Sequence, residues 1–303
     1  MRENFERNQN LEYYVNWKNN YYQFNEKNFI KQSVSHLNEV CESPYYYETT
    51  FIRKRLDPMS ITDDTLSSLL AASFEQKHIL LDSKTFYIKD IRDVTDTPFN
   101  TIVFQLDAPS LKTEESSRTI MNRYFAQRPL DYNTIQYFGK CLGFYHRCPF
   151  VSGDEIFVPE KGSANDSTSW YGIHHILYAN EDKKTKCMHV HFRGHHELQL
   201  NVSARSFNEQ VDRSAILFVY QQFIIDELVG LGHYVPEPSV ITELNIVQQH
   251  LKKFTFTMVL HPLEKILSYI SHYRVQETLE KVLGEANPYI GEIRDNFNSN
   301  FKK

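Results

Sequence analysis

Apolar and polar positions alternate most regularly between residues 188 and 202. Met188, Val190 and Phe192 alternate with His189 and His191, and Leu198, Leu200 and Val202 alternate with Gln199 and Asn201. A short connection containing Gly194 separates the two runs. Period two on both sides of a glycine-containing turn predicts a half-buried β-hairpin. The period then lengthens. Ser206 followed by Glu209 predicts a capping box, with the hydroxyl and the carboxylate each satisfying an orphan N–H of a starting helix. Phe207, Val211, Ala215, Phe218, Gln222, Ile225 and Val229 follow at helical spacing, interrupted in polarity only at Gln222. A hairpin feeding a capped amphipathic helix is expected to sit at the centre of the core.

The rest of the chain is read by the same periods. Upstream, they predict a helix over Glu26–Cys41, an extended segment Tyr45–Leu56, a helix from a Thr62 cap to Phe74, and strands within His78–Ile91 and Thr101–Leu106. Arg53-Lys54-Arg55 reads as a solvated strand edge, with phosphate contact as its alternative. The polar run Asp107–Ser117, which contains Pro109, sets an expected boundary. Pro149–Pro159 reads as extended with a turn at Ser152-Gly153-Asp154, and Trp170–Tyr178 as a partly buried strand. Pro236 and Pro238 end the long helix. Ser239 is expected to cap a helix reaching Phe254, and Pro262 and Gly284 bracket another of about 21 residues. The fold class is therefore α+β, a mainly antiparallel sheet with packed helices and a helical C-terminal part. Three regions are expected: 1–115, 116–230 and 231–303.

Composition adds bounds. The 303 residues are enough for one large or two modest domains. Nineteen Tyr and 21 Phe against 10 Gly point first to aromatic core filling. The net charge of −5 does not announce a polyanion partner, but it is unevenly spread. Residues 1–115 carry 13 Lys+Arg and 18 Asp+Glu, whereas residues 118–147 hold Arg118, Arg123, Arg128, Lys140 and Arg147 against Asp131 alone. Four cysteines without CxxC spacing, no apolar leader and no apolar run longer than Ala215–Tyr220 lead to the expectation of a reduced cytoplasm and no membrane partner.

Candidate chemistry is sparse. From Arg118 on, cations and rings interleave: Arg123-Tyr-Phe125, Arg128, Tyr132, Tyr137-Phe-Gly-Lys140 and Phe144-Tyr-His-Arg147. Such a surface suits phosphate or groove binding. Spacing alone, however, favours the plainer reading of core rings beneath a solvated cationic face. Six of the 13 histidines fall between His174 and His196. His189 and His191 share a strand face and His195 lies at the adjoining turn, a geometry compatible with a zinc or iron site. Their simpler role is the wet face of an amphipathic strand, where partial protonation near pH 6 would add positive charge. No phosphate loop, nucleophile elbow or kinase signature is present, so neither an enzyme nor a cofactor is expected.

The run Asn201-Val-Ser-Ala-Arg-Ser-Phe-Asn-Glu-Gln-Val-Asp-Arg-Ser-Ala215 resembles a segment of the ComK competence transcription factors of Gram-positive bacteria, through Ser206, Phe207, Gln210, Val211, Arg213, Ser214 and Ala215. Tyr137-Phe-Gly-Lys140, Ile156-Phe-Val-Pro159 and Ser169-Trp170 with Ile173 resemble further landmarks of that family in the same order, so the likeness covers roughly residues 115–230. It implies a transcriptional regulator binding double-stranded A/T-rich DNA, largely through the minor groove, which attracts arginine where it narrows. It also implies a homo-oligomer, with RNA polymerase or a proteolytic adaptor as further partners. On that reading Arg128, Lys140, Arg147, Arg193, Arg205 and Arg213 would contact phosphate or groove. Lys140 and Arg147 are chosen from local charge, and Arg193 from its place at the hairpin turn. Arg213 has the competing option of pairing with Glu209 at (i, i+4). Two rivals stand beside it: a family-like scaffold without DNA binding, suggested by the acidic first 115 residues, and a histidine-rich metal-binding protein.

Overall fold

The computed structural model describes residues 58–162, 167–232, 243–253 and 263–284, together with 289 and 291–292. The chain divides into two units, Met1–Leu56 and Asp57–Lys303, and every described residue lies in the second. The helix expected over Glu26–Cys41, the segment Tyr45–Leu56 and the cap at Ser239 lie outside the described residues.

The near-continuous apolar runs make the larger sheet. Its order is β2 (Phe74–Glu75), β5 (Leu111–Thr113), β4 (Thr101–Gln105), β3 (Thr85–Asp90), β8 (Trp170–Gly172), β7 (Glu155–Pro159), β6 (Phe150–Ser152). β3, β4, β7 and β8 are buried at consecutive positions, so both faces of the sheet are covered. The expected boundary at Asp107–Ser117 falls inside this unit: β4 pairs with β5 across Pro109, and β3 pairs with β8.

The alternating segments make the smaller sheet, in the order β1 (Ser60–Ile61), β11 (Glu197–Leu200), β10 (Met188–Phe192), β9 (Ile176–Glu181). β10 alternates buried and half-buried residues along its whole length, and Val190 opposes Leu198 across the hairpin. Only β1–β11 and β2–β5 are parallel among the described pairs. The class is α+β and mainly antiparallel, as the periods require.

Six helices lie among the described residues: α1 (Leu66–Ala72), α2 (Ser117–Ala126), α3 (Tyr132–Cys141), α4 (Ala204–Gly232), α5 (Ile246–Lys253) and α6 (Leu263–Leu283). None is long and apolar enough to cross a membrane. α1 starts at a Thr65 N-cap rather than Thr62, whose hydroxyl instead accepts from Thr65 N at 3.3 Å. α5 opens on a reciprocal capping box in which Asn245 Oδ1 accepts from Gln248 N and Gln248 Oε1 accepts from Asn245 N. α6 runs its expected 21 residues and ends at Gly284.

Trp170–Tyr178 is not one strand. Ile173–His175 form a 3₁₀ turn that passes the chain from β8 in the larger sheet to β9 in the smaller one. His174 and His175 are buried in that turn. Phe86 of β3 meets Phe192 of β10 at 4.8 Å between ring centroids and stacks on His196 at 5.0 Å, joining the sheets. Tyr124 and Phe125 of α2 pack on Phe150, Phe157 and Trp170 of the larger sheet.

Candidate nucleic-acid interface

The surface of interest begins where α3 stops. Asp131 caps the helix, its carboxylate accepting from Thr134 N at 2.8 Å. At the other end Phe144 N donates to Gly139 O (2.8 Å) and Gly143 N to Lys140 O (3.0 Å), the paired bonds of a Schellman motif. Gly143 takes the left-handed conformation this motif needs, with φ of 85°. The chain then doubles back through Phe144–Pro149 beneath the first turns of α4.

Burial of Cys148 anchors this connection. Its thiol lies where a Cβ on Gly139 would stand, 2.5 Å away, so only glycine lets the two segments approach. Tyr132 donates its hydroxyl proton to Cys148 O at 2.7 Å. Burial pushes the Cys148 thiol up to about 12 and that of Cys141 to about 11, so both are inert protonated thiols at neutral pH.

Three of the six sequence-selected cations, Lys140, Arg147 and Arg213, come together here. Lys140 Nζ sits 5.4 Å from the Tyr137 ring centroid and 5.0 Å from that of Tyr273 on α6. Arg147, with φ of 50°, donates to Ser206 Oγ at 2.7 Å and to Pro159 O at 3.3 Å. Arg213 donates to His146 O and pairs with Glu209 one turn back, its guanidinium 5.4 Å from the Phe144 ring centroid. Arg205, in the first turn of α4, is exposed and has no partner among the described residues. Exposed Tyr145 and His146 complete the surface.

The capping box expected from Ser206 and Glu209 is not formed. Ser203 caps α4 instead, its Oγ accepting from Ser206 N at 3.2 Å and its carbonyl from Phe207 N at 2.9 Å. The Ser206 hydroxyl is thereby left to receive Arg147, and Glu209 to receive Arg213.

Arg128 and Arg193 lie elsewhere. Arg128 stacks on the Tyr124 ring at 4.3 Å and pairs with Glu155 of β7. Arg193 donates to His174 O at 2.8 Å and to Glu243 O at 2.6 Å, which ties the hairpin turn to the segment before α5. Arg123 of the basic stretch also has a carboxylate partner, Glu115, whose carboxyl it holds down at about 2.

His189 and His191 occupy the half-buried face of β10. His191 stacks on Tyr178 (4.2 Å) and its Nδ1 lies 3.2 Å from Glu197 of β11, its cross-strand partner. His195 is exposed at φ of 64°. Among the described residues no three His, Cys, Asp or Glu side chains converge as a metal site would require. His196, the residue after that turn, is a core residue. Its Nδ1 accepts from Met59 N at 3.1 Å and its Nε2 donates to Leu106 O at 3.0 Å.

Sequence reasoning did not single out Tyr145 and His146 as surface groups, although the Phe144-Tyr-His-Arg147 interleaving contained both. Tyr273 carried no signal at all, because it meets Lys140 only through the packing of α6 on α3.

The class defined so far is an α+β protein, mainly antiparallel, with a cationic and aromatic surface at the junction of α3 and α4. Residues 97–223, a segment running from just before β4 through most of α4, match the model of a family described as ComK protein. That segment is under half of the chain and begins 18 residues before the 115 from which the likeness was read. Comparison with curated proteins and with solved structures returned no match.

Proposed function

We propose that the protein is a transcriptional regulator of the ComK kind that binds A/T-rich double-stranded DNA, with no catalytic role, acting in the cytoplasm on competence and DNA-uptake genes. The observation that carries this reading is the convergence of Lys140, Arg147 and Arg213, with Tyr145 and His146, on one surface inside the family-matched segment, with exposed Arg205 next in sequence to the Ser206 that Arg147 binds. Among these cations the roles divide. Lys140 and Arg205 have donors to offer a phosphate, while Arg147 and Arg213 spend theirs on Ser206, Pro159, His146 and Glu209 and so position the connection. Homo-oligomerisation on paired boxes, and contact with RNA polymerase or an adaptor, follow from the family likeness alone.

Fluorescence anisotropy on an A/T-rich duplex across a salt series tests this. Affinity should fall steeply with salt, and Lys140→Ala and Arg205→Ala should each flatten the log–log slope by about one unit. Arg193→Gln should leave the slope unchanged.

A second reading, an interaction protein that keeps the fold without DNA binding, is favoured by the carboxylates already set against Arg128, Arg193 and Arg213. No detectable binding at low salt would decide for it.

A further inference from the structure

Pro129–Leu130, α3, β6, α4 and α6 enclose a half-open cavity of about 540 Å³. Its floor is apolar, built from Ile135, Phe138, Val151, Ile224, Ile266 and Ile270. At the rim, Leu130, Ile225 and Leu267 keep 43 %, 43 % and 53 % of their surface in solvent, more than an apolar side chain retains when its neighbours complete a core. The volume falls in the range of small-molecule sites, about 300–1,000 Å³.

The polar lining has one sign. Arg274 of α6 is its single charged residue and is exposed. One guanidinium nitrogen donates to Thr134 Oγ1 at 2.6 Å, and no carboxylate lies within 4 Å among the described residues. Asp131 caps α3 through Thr134, shares that hydroxyl with Arg274 and is coupled electrostatically to it. Gln221 is also spent, donating to Val151 O at 2.7 Å and accepting from Gly153 N. An aliphatic slot with a single exposed cation at its edge, most of whose guanidinium donors are still open, matches an amphiphile with a hydrocarbon body and an anionic head.

We propose that this cavity binds a medium-chain aliphatic carboxylate, with its chain between α3, α4 and α6 and its head on Arg274. Leu267, Ile270 and Arg274 lie outside the segment that the family model matches, and the site is independent of the DNA-binding reading. A ligand there would bridge α6 to the family-matched segment.

The test uses the full chain, 11-(dansylamino)undecanoic acid as fluorescent probe, and decanoate and decan-1-ol as competitors. Saturable probe binding displaced by decanoate is expected. Arg274→Gln should weaken decanoate about tenfold, the worth of one charge-assisted hydrogen bond, and leave decan-1-ol within about twofold. Leu267→Trp, at an exposed position, and Ile270→Trp should each block the probe with unchanged circular dichroism. Absence of saturable binding, equal losses for acid and alcohol, or full binding in both tryptophan variants would overturn the proposal. So would sedimentation showing a dimer that Leu267→Trp dissociates without any decanoate binding, since the groove would then belong to a second copy.

Discussion

Gly139 and Arg147 hold the α3–α4 junction by opposite means. A methyl group at 139 would collide with the buried Cys148 thiol, and overpacking of this kind costs about 1–3 kcal/mol. Gly139→Ala should therefore lower the urea midpoint with the m-value unchanged. Arg147 is a non-glycine residue held at positive φ by its bonds to Ser206 and Pro159. Arg147→Ala removes both bonds and keeps the backbone cost, whereas Arg147→Gly removes the bonds and the cost together. The glycine variant should be the more stable by about 1 kcal/mol in urea unfolding. Equal stabilities would show that the backbone here stores no strain. The sequence displayed every cation but little of what each would touch. The Arg213–Glu209 pair was legible because it is local to one helix. Arg128 with Glu155, Arg147 with Ser206 and Arg193 with His174 O join separate elements, and no periodicity reports such pairings.

At the scale of elements, period served well wherever a side chain's polarity matched its burial. The β10–β11 hairpin alternates as its letters do. α4 misleads because Gln210, Ser214 and Gln221 are buried while Phe218 and Ile225 are not, so its inward stripe lies about one residue from the one its apolar letters trace. Likewise Ser206 and Glu209 had the spacing of a capping box, yet Ser203 was the residue placed with its carbonyl at the start of the helix. The 3₁₀ turn is the element with the clearest pH consequence. Burial pulls the His175 imidazole down to about 4, and burial together with its neighbour His175 lowers His174 well below the usual range. The rings lie 4.1 Å apart; Arg193 opposes protonation of both, and Asp82 and Asp107 favour it weakly at His175. Both groups are depressed in the fold, so the unfolded chain takes up protons first as pH falls below about 6.5. Stability should be full above that pH and decline toward pH 4. The urea midpoint should fall between pH 7 and pH 5, and less so for His175→Gln, which keeps a donor for Ser83 O. A midpoint flat over that interval would sink this account.

At the scale of the whole molecule, two sheets share one core through Phe86, Phe192 and His196, and a mildly acidic chain gathers cations at the α3–α4 junction. Net charge hid this surface, since −5 over 303 residues says nothing of where twelve cations and twelve acids of the central region end up. The same arrangement makes the local acid informative. Glu209 neutralises Arg213 at the edge of the surface and is itself about half exposed. If that surface meets a polyanion, Glu209 both repels phosphate and occupies a guanidinium that would bind it. Glu209→Gln removes one negative charge and leaves Arg213 anchored on His146 O above the Phe144 ring. Its affinity for an A/T-rich duplex should therefore rise at low salt, and the salt slope should steepen by up to about one unit. The gain should vanish at high salt, because the added contact is electrostatic and screened. An unchanged slope in Glu209→Gln, alongside normal stability, would place the DNA away from Arg213 and return this junction to a purely structural role.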